Sequence, residues 1–201
     1  MKPNLHLVTQ PQAFCLRVEI DRTEPLVWRR IEVLASSTFF DLHVAIQDAF
    51  GWLDYHLHEF EAGPITIGVP DEYAEKDIVP GWTVPLSKHL GRIKTLTYFY
   101  DFGDGWRHTI HLEEIREADG RPYPRCLAGG NATPPEDCGG VYGFEELKEV
   151  LTKPRSAKYR EMRDWLKSHS AKVYWPFDPF AFEHSEVLFR DPAERLNELV
   201  V

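Results

Sequence analysis

Residues 98–115 read YFYDFGDGWRHTIHLEEI, two apolar, alternating stretches on either side of the segment DFGDG. Alternation with a period of two predicts a pair of β-strands, and the glycines between them predict a hairpin turn. A three-residue loop, 103–105, would place Phe102 opposite Trp106 and gather the apolar side chains on one face. Gly105 would then take the positive φ that such a turn needs, and Asp101 would lie across from Arg107.

The segments before this hairpin predict a second hairpin followed by a helix. Residues 13–20 and 26–33 alternate between apolar and polar side chains and predict two paired strands. Thr38 and Asp41 have the spacing of a capping box, which marks the start of a helix. The helix repeats apolar residues at helical spacing as far as Phe50, and Gly51 predicts its C-terminal cap.

The remaining segments are predicted from shorter patterns. We expect the chain to form a single domain, 1–201, in which residues 1–12 are a loose N-terminal segment. The further predictions are a strand at 55–62, short strands and loops at 63–94, a long Gly/Pro loop at 120–143, and helices at 143–152, 156–168 and 191–200.

Composition and charge narrow the class of protein. The hydrophobic content of 43% is that of a chain with a packed core, and the net charge of −9 argues against a broad nucleic-acid-binding surface. Three cysteines are too few for a secreted disulfide framework, and no apolar run has the length of a membrane helix. We therefore expect a cytoplasmic protein that has no membrane partner.

Histidine and cysteine supply the candidate metal ligands. His56 and His58 would share one face of the predicted strand, an arrangement that can present two imidazoles to zinc or another divalent metal. Cys126 and Cys138 bracket the long loop but lack the close Cys-x-x-Cys spacing of structural zinc sites. The alternative is that both thiols are packing residues and that the histidine pair arises by chance in a chain with nine histidines.

The hairpin turn and the long loop supply a candidate binding surface. Carboxylates from the two segments could meet and hold a cation or do acid–base work. The alternative is that DFGDGWRH is only a turn and that the histidine after it is a hydrogen-bonded core residue. The candidate residues are Asp101, Asp104, Trp106, His108, Glu136 and Asp137.

A basic segment, 153–172, contrasts with the acidic chain. It holds seven Lys or Arg against two acidic residues, which is typical of a solvated helix face and also of a surface for nucleic acid or an acidic partner. Its candidate contacts are Arg155, Lys158, Arg160, Arg163 and Lys167. We find no P-loop, nucleophile elbow or His-Glu-x-x-His motif in the sequence.

Six stretches together resemble a known family. They are, in chain order, PLVWRRIEV, TFFDLHVAIQDAFGW, HLHEF, YFYDFGDGWRHTIHLE, PPEDCGG and FDPFAF. The chain is similar, over residues 13–200, to the Ri-plasmid Orf-three-like family, some of whose members carry the label of insertion-element passenger or TnpR-like protein. The resemblance implies an α+β fold, a mixed β-sheet of roll type with an N-terminal β-hairpin, a helix after it and C-terminal helices.

The resemblance implies no activity and no catalytic residues. Members often have acidic residues where this chain has Arg107 and Thr109, and no catalytic serine among arginines supports a resolvase. The leading interpretation is a non-catalytic binding or interaction module linked to plasmids or mobile elements, with a protein partner favoured over nucleic acid. The alternative is a metal-dependent enzyme or metal-stabilised domain built from the strand histidines and the DFGDGWRH and PPEDCGG loops.

Overall fold

Eight strands and four helices form the part of the chain that the computed structural model describes, residues 10–70, 77–169 and 172–200. The strands are β1 (Gln12–Ile20), β2 (Val27–Leu34), β3 (His58–Ala62), β4 (Ile65–Gly68), β5 (Ile78–Pro80), β6 (Thr95–Tyr100), β7 (Trp106–Glu117) and β8 (Arg125–Gly130). The helices are α1 (Phe39–Phe50), α2 (Gly140–Leu151), α3 (Ala157–Ser168) and α4 (Pro192–Val200).

All eight strands belong to one sheet, in the order β5-β4-β3-β6-β7-β1-β2-β8. Every neighbouring pair is antiparallel except β4 and β5, which are parallel. The sheet is therefore mixed and open, with β5 and β8 at its edges, and the predicted α+β class is confirmed. Of the predicted loose segment, residues 1–9 lie outside the described residues, and Gln12 already belongs to β1.

The N-terminal hairpin and the first helix are confirmed. β1 and β2 pair from Ala13 with Leu34 to Ile20 with Val27. The Thr38 hydroxyl accepts a hydrogen bond from the Asp41 N–H, and the Asp41 carboxylate accepts one from the Thr38 N–H. Gly51 ends α1 at φ 71°. One side of α1 packs on the sheet and, with the inward residues of β1, β6 and β7, forms the hydrophobic core.

The register predicted for the β6–β7 hairpin is wrong by two residues. Tyr100 pairs with Trp106 and Phe99 with Arg107, so five residues, 101–105, form the loop. The Asp101 carboxylate accepts hydrogen bonds from the N–H groups of Gly103 and Asp104, which closes a longer turn than the three-residue loop. A shift of two leaves the side chains of both strands on their predicted faces, but Phe102 lies in the loop and is 55% exposed. The predicted pair of Asp101 with Arg107 does not form, because Arg107 binds Asp21 instead.

Two further predictions are corrected. The strand predicted at 55–62 begins only at His58, so residues 55–57 precede β3. The loop predicted at 120–143 contains β8, which pairs with β2. A side chain at Gly130 would collide with the Trp28 indole, so the glycine permits this pairing.

The C-terminal helices are confirmed, with bounds displaced by a few residues. α3 starts at the Ser156 cap, whose hydroxyl accepts a hydrogen bond from the Tyr159 N–H. α2 buries Phe144, Leu147 and Val150. None of the helices in the described ranges has the length and apolar character needed to cross a bilayer.

Candidate functional site

Three chain segments bring a histidine and two aspartates together beside the β6–β7 turn. His56 lies just before β3, Asp101 opens the turn and Asp137 lies in the loop before α2. The Nε2 atom of His56 is 3.2 Å from Asp137 Oδ1 and 3.5 Å from Asp101 Oδ2. The three potential ligand atoms all lie within 4.8 Å of one another.

The backbone fixes the position of Asp101. Its φ is 54°, in the left-handed region that aspartate tolerates better than most residues. Its N–H donates to the Leu57 carbonyl at 3.0 Å, which ties the turn to the segment that carries His56. Since Oδ1 is engaged by the N–H groups of the turn, Oδ2 is the oxygen that faces His56.

Asp137 is the exposed member of the cluster, with 51% of its side chain accessible. It also has a left-handed backbone, at φ 54°. Its Oδ2 atom accepts a hydrogen bond from the Tyr55 hydroxyl at 2.6 Å and lies 3.5 Å from His169 Nε2. Oδ1 is thereby left to face His56, while the open side of the carboxylate meets solvent.

The two loops that carry the aspartates are in direct contact. The Gly139 N–H donates to the Asp104 carboxylate at 3.1 Å. A Cβ atom at Gly140 would come within 2.4 Å of the Asp104 carbonyl oxygen, so only glycine permits this approach. This packing holds Asp137 in a fixed place relative to Asp101.

Two buried polar groups beside the cluster keep unused hydrogen-bonding atoms. Glu136 is fully buried; its Oε1 accepts from the Leu53 N–H at 2.7 Å and from the Tyr100 hydroxyl at 3.1 Å. Its Oε2 has no partner among the described residues, and neither has Nδ1 of His169, whose side chain is 6% exposed. Burial raises the pKa of Glu136, while nearby His56 opposes that rise.

The spacing of the three ligand atoms suits a metal ion. A first-row divalent ion lies about 2.0–2.2 Å from imidazole nitrogen and carboxylate oxygen, so neighbouring ligands are roughly 3.0–3.5 Å apart. One imidazole and two carboxylates suit zinc, manganese or iron, whereas soft metals prefer thiolates. Three protein ligands leave coordination positions that water can fill.

The structure divides the six predicted surface residues into two groups. Asp101 and Asp137 belong to the cluster, Glu136 lies next to it, and Asp104 joins the two loops. Trp106 and His108 have no exposed surface and lie in the core, because the pleat of β7 points both inward. The assignment of these two residues to a binding surface is therefore wrong.

Of the four predicted metal ligands, only His56 lies in the cluster. His58 is the first residue of β3, and the pleat of the strand directs its imidazole inward. There it stacks on His43, with ring centroids 3.3 Å apart. Cys126 lies in β8 against Ile31, and Cys138 faces the Gly140 carbonyl. Burial raises the pKa of both thiols, which disfavours the thiolate that a metal would need.

The basic segment is partly neutralised at the surface. Lys158 pairs with Glu146, and Arg163 pairs with Asp164 at 2.8 Å. The Lys167 ammonium lies 5.8 Å from the centre of the Trp175 ring. The assignment of this segment to nucleic acid or an acidic partner stays a prediction.

A polar network that the sequence did not reveal joins α1, β6 and α4. His43 Nε2 is 2.7 Å from Asp54 Oδ1, and His43 Nδ1 is 2.8 Å from the Tyr98 hydroxyl. Arg195 of α4 donates to the Asp54 carboxylate at 2.5 Å and to its carbonyl at 2.6 Å. Burial would raise the pKa of Asp54, but the hydrogen bonds from His43 and Arg195 lower it overall. His43, Asp54 and Tyr98 are buried, and the partly exposed Arg195 attaches α4 to them.

Comparisons with known proteins identify a family, a related protein and a related crystal structure. Residues 12–186 match the family described as plasmid pRiA4b ORF-3-like protein. An uncharacterized protein, y4hQ, of Sinorhizobium fredii (strain NBRC 101917 / NGR234) is 36% identical over 155 residues, 76% of this chain and 80% of the relative. The crystal structure of a protein of unknown function, MM3350 from Methanosarcina mazei Go1, matches with a TM-score of 0.79 and 38% identity. That match covers 90% of this chain and 100% of the other.

Proposed function

The chain belongs to the plasmid pRiA4b ORF-3-like protein family, and from its site we propose that it is a divalent-metal-binding domain. The ligands are His56, Asp101 and Asp137. One observation carries the proposal: the buried Nε2 atom of His56 faces two carboxylates and has no hydrogen-bond partner among the described residues. Buried polar atoms are normally satisfied, and a metal ion would satisfy this one together with both carboxylates.

The carboxyl groups around His56 also support a bound metal ion. Asp101 is buried, Glu136 has an unused oxygen nearby, and Asp137 adds a third carboxyl group around one imidazole. Carboxyl groups this close together repel one another unless a cation or a proton lies between them. A divalent ion compensates the repulsion and leaves water positions on the exposed side of Asp137, where bound water would become more acidic.

Metal titration of the chelator-treated full chain, monitored by calorimetry with Mn²⁺ and Zn²⁺, tests the proposal. We expect one site per chain for at least one of the two ions. Asp101→Asn keeps the Oδ1 acceptor of the turn but removes the charge, so it should weaken binding at least ten-fold with the fold intact. His56→Gln should also weaken metal binding at least ten-fold with the fold intact.

The matched control is His111→Gln, which changes an exposed histidine of β7 outside the cluster. It should bind metal like the unaltered chain. If neither ion binds, or if Asp101→Asn binds as tightly as the unaltered chain, the three residues are not a metal site, and the proposal fails.

The interpretation as an interaction module, with a protein partner at the basic segment and a link to mobile elements, stays a prediction. Reversing the charge of Arg155 and Arg160 together should weaken binding of an acidic partner and reduce its salt dependence. Unchanged binding would end that interpretation.

A further inference from the structure

A cavity lies between the C-terminal end of α1 and the segment 172–188, away from the proposed metal cluster. Its volume is about 820 Å³, within the size range of small-molecule sites. Leu188 and Phe180, which line it, are 83% and 66% exposed, an unusual degree of exposure for large apolar side chains around one concave surface. The apolar lining includes Phe50, Tyr174, Phe177, Phe180, Phe182 and Leu188.

Arg29, in the lining of this cavity, is a buried cation without an acidic partner. It is 2% exposed, and no carboxylate among the described residues forms an ion pair with it. Buried charges are normally paired. Its donors instead reach neutral acceptors, the carbonyl oxygens of Trp28, Ala49, Gly130 and Asn131 and the hydroxyl of Thr133.

The guanidinium keeps one donor for a further partner. Nη2 of Arg29 carries two hydrogens and donates to Thr133 Oγ1 at 2.9 Å, its one acceptor among the described residues. The flat faces are occupied by aromatic rings, with Phe182 3.6 Å and Phe50 4.9 Å from the guanidinium carbon. A ligand would therefore meet the edge of the guanidinium, which is the side that binds carboxylates.

Lys172 supplies a second cation in the same lining. It is exposed, and its ammonium donates to the Gly51 carbonyl at 2.9 Å. The carboxylates that line the cavity are engaged or solvated: Arg190 binds Asp48, Ser185 donates to Glu183, and Glu186 is exposed. Two positive groups thus face an aromatic cavity, and no carboxylate of the described residues is bound to either.

We propose that this cavity binds a small organic anion, an aromatic or aliphatic carboxylate. Arg29 and Lys172 bind its acid group, and the rings of Phe50, Phe177 and Phe182 with Leu188 enclose its apolar body. The site combines a concave apolar lining with a few polar groups, the usual composition of a small-molecule site. It shares no residue with the metal cluster and does not depend on the metal proposal.

A pair of probes of equal shape tests the charge. Binding of naphthalene-2-carboxylate and of neutral 2-naphthamide to the full chain is measured by calorimetry, after metal has been removed by chelator and the chelator by dialysis, so that the metal cluster takes no part. We expect the carboxylate to bind at one site at least ten-fold more tightly than the amide. In Lys172→Met, this preference should fall several-fold, because an exposed ammonium is lost without disturbance of the core.

Lys153→Met, which removes an exposed lysine of the α2–α3 connection, is the matched control and should keep the full preference. Leu188→Ser should weaken both probes equally, because it reduces only the apolar lining. Equal affinity for the two probes, absence of saturable binding, or an unchanged preference in Lys172→Met would overturn the proposal. Arg29 would then serve only to hold the C-terminal end of α1, through its hydrogen bond to the Ala49 carbonyl.

Discussion

His56 and His58 are two residues apart in the chain, yet their imidazoles lie in different environments. His58 is stacked on His43 in the core, and His56 faces two carboxylates near solvent. The difference arises because β3 begins at His58, so the period of two does not extend back to His56. Sequence analysis offered His56 and His58 together as metal ligands, but the shared strand face on which that prediction rested does not form.

Buried histidines make the stability of the fold sensitive to acid. His108 is fully buried, and burial lowers its pKa to about 3, whereas in the unfolded chain it is about 6.5. Between these values the unfolded state binds a proton that the folded state does not, so stability falls as pH falls from 6.5 towards 3. His43 and His58 act in the same direction, since burial also lowers the pKa of each.

We expect the free energy of unfolding to fall by up to about 1.4 kcal/mol per pH unit for each such histidine below pH 6. Urea unfolding at pH 7.5, 6.0 and 5.0 measures the slope. His108→Gln should be less stable at pH 7.5 but should show a smaller slope. An equal slope in His108→Gln would mean that His108 does not contribute to the acid sensitivity.

The elements that could be predicted are those that a local sequence pattern specifies. α1 was placed within one residue because its capping box, apolar spacing and terminal glycine all lie inside the helix or beside it. β8 was missed because RCLAGG has the composition of a loop, and it becomes a strand only by pairing with β2. The turn after β6 was placed two residues off, since Asp101 closes it with a side chain that the alternation pattern ignores.

An ion pair between Arg195 and Asp54 attaches helix α4 to the core. Arg195 donates to both the carboxylate and the carbonyl of Asp54, which is buried and also bound to His43. Arg195→Met leaves the carboxylate with one partner fewer, and we expect a loss of roughly 2–4 kcal/mol of unfolding free energy. Hydrogen exchange of the amides in 193–200 should become faster.

Arg190→Met is the comparison for this prediction. The ion pair of Arg190 with Asp48 involves an arginine that is 44% exposed, so its loss should cost only about 0.5–1 kcal/mol. Urea unfolding of both variants measures the two losses of unfolding free energy. Equal losses would show that the buried setting of Asp54 adds nothing to the attachment of α4.

At the scale of the whole molecule, the candidate metal cluster joins segments far apart in sequence. His56, Asp101 and Asp137 come from the start of β3, the β6–β7 turn and the loop before α2. No spacing rule connects these positions, so the sequence indicated the residue types and the two loops but not their meeting point. The pairing of β3 with β6, the hydrogen bond from Asp101 to Leu57 and the contact between the loops bring the three side chains together.

A bound ion should therefore stabilise the molecule as a whole. An ion present at a hundred times its Kd adds about 2.7 kcal/mol to the folded state, which for a chain of this length raises Tm by roughly 5–10 °C. Thermal unfolding with and without Mn²⁺ or Zn²⁺ measures the shift. The same shift in Asp101→Asn would place the ion elsewhere.

Contact between backbone atoms at Gly140 and Asp104 restricts the sequence changes that the two loops can accept. Side-chain contacts can be repaired by a compensating substitution, but a carbonyl oxygen 2.4 Å from where a Cβ would stand has no side chain to shorten. An insertion in either loop would separate the surfaces that meet there. During evolution the turn and the loop before α2 are therefore expected to vary together in length, and a swap of one loop between relatives should succeed only when the other is exchanged with it.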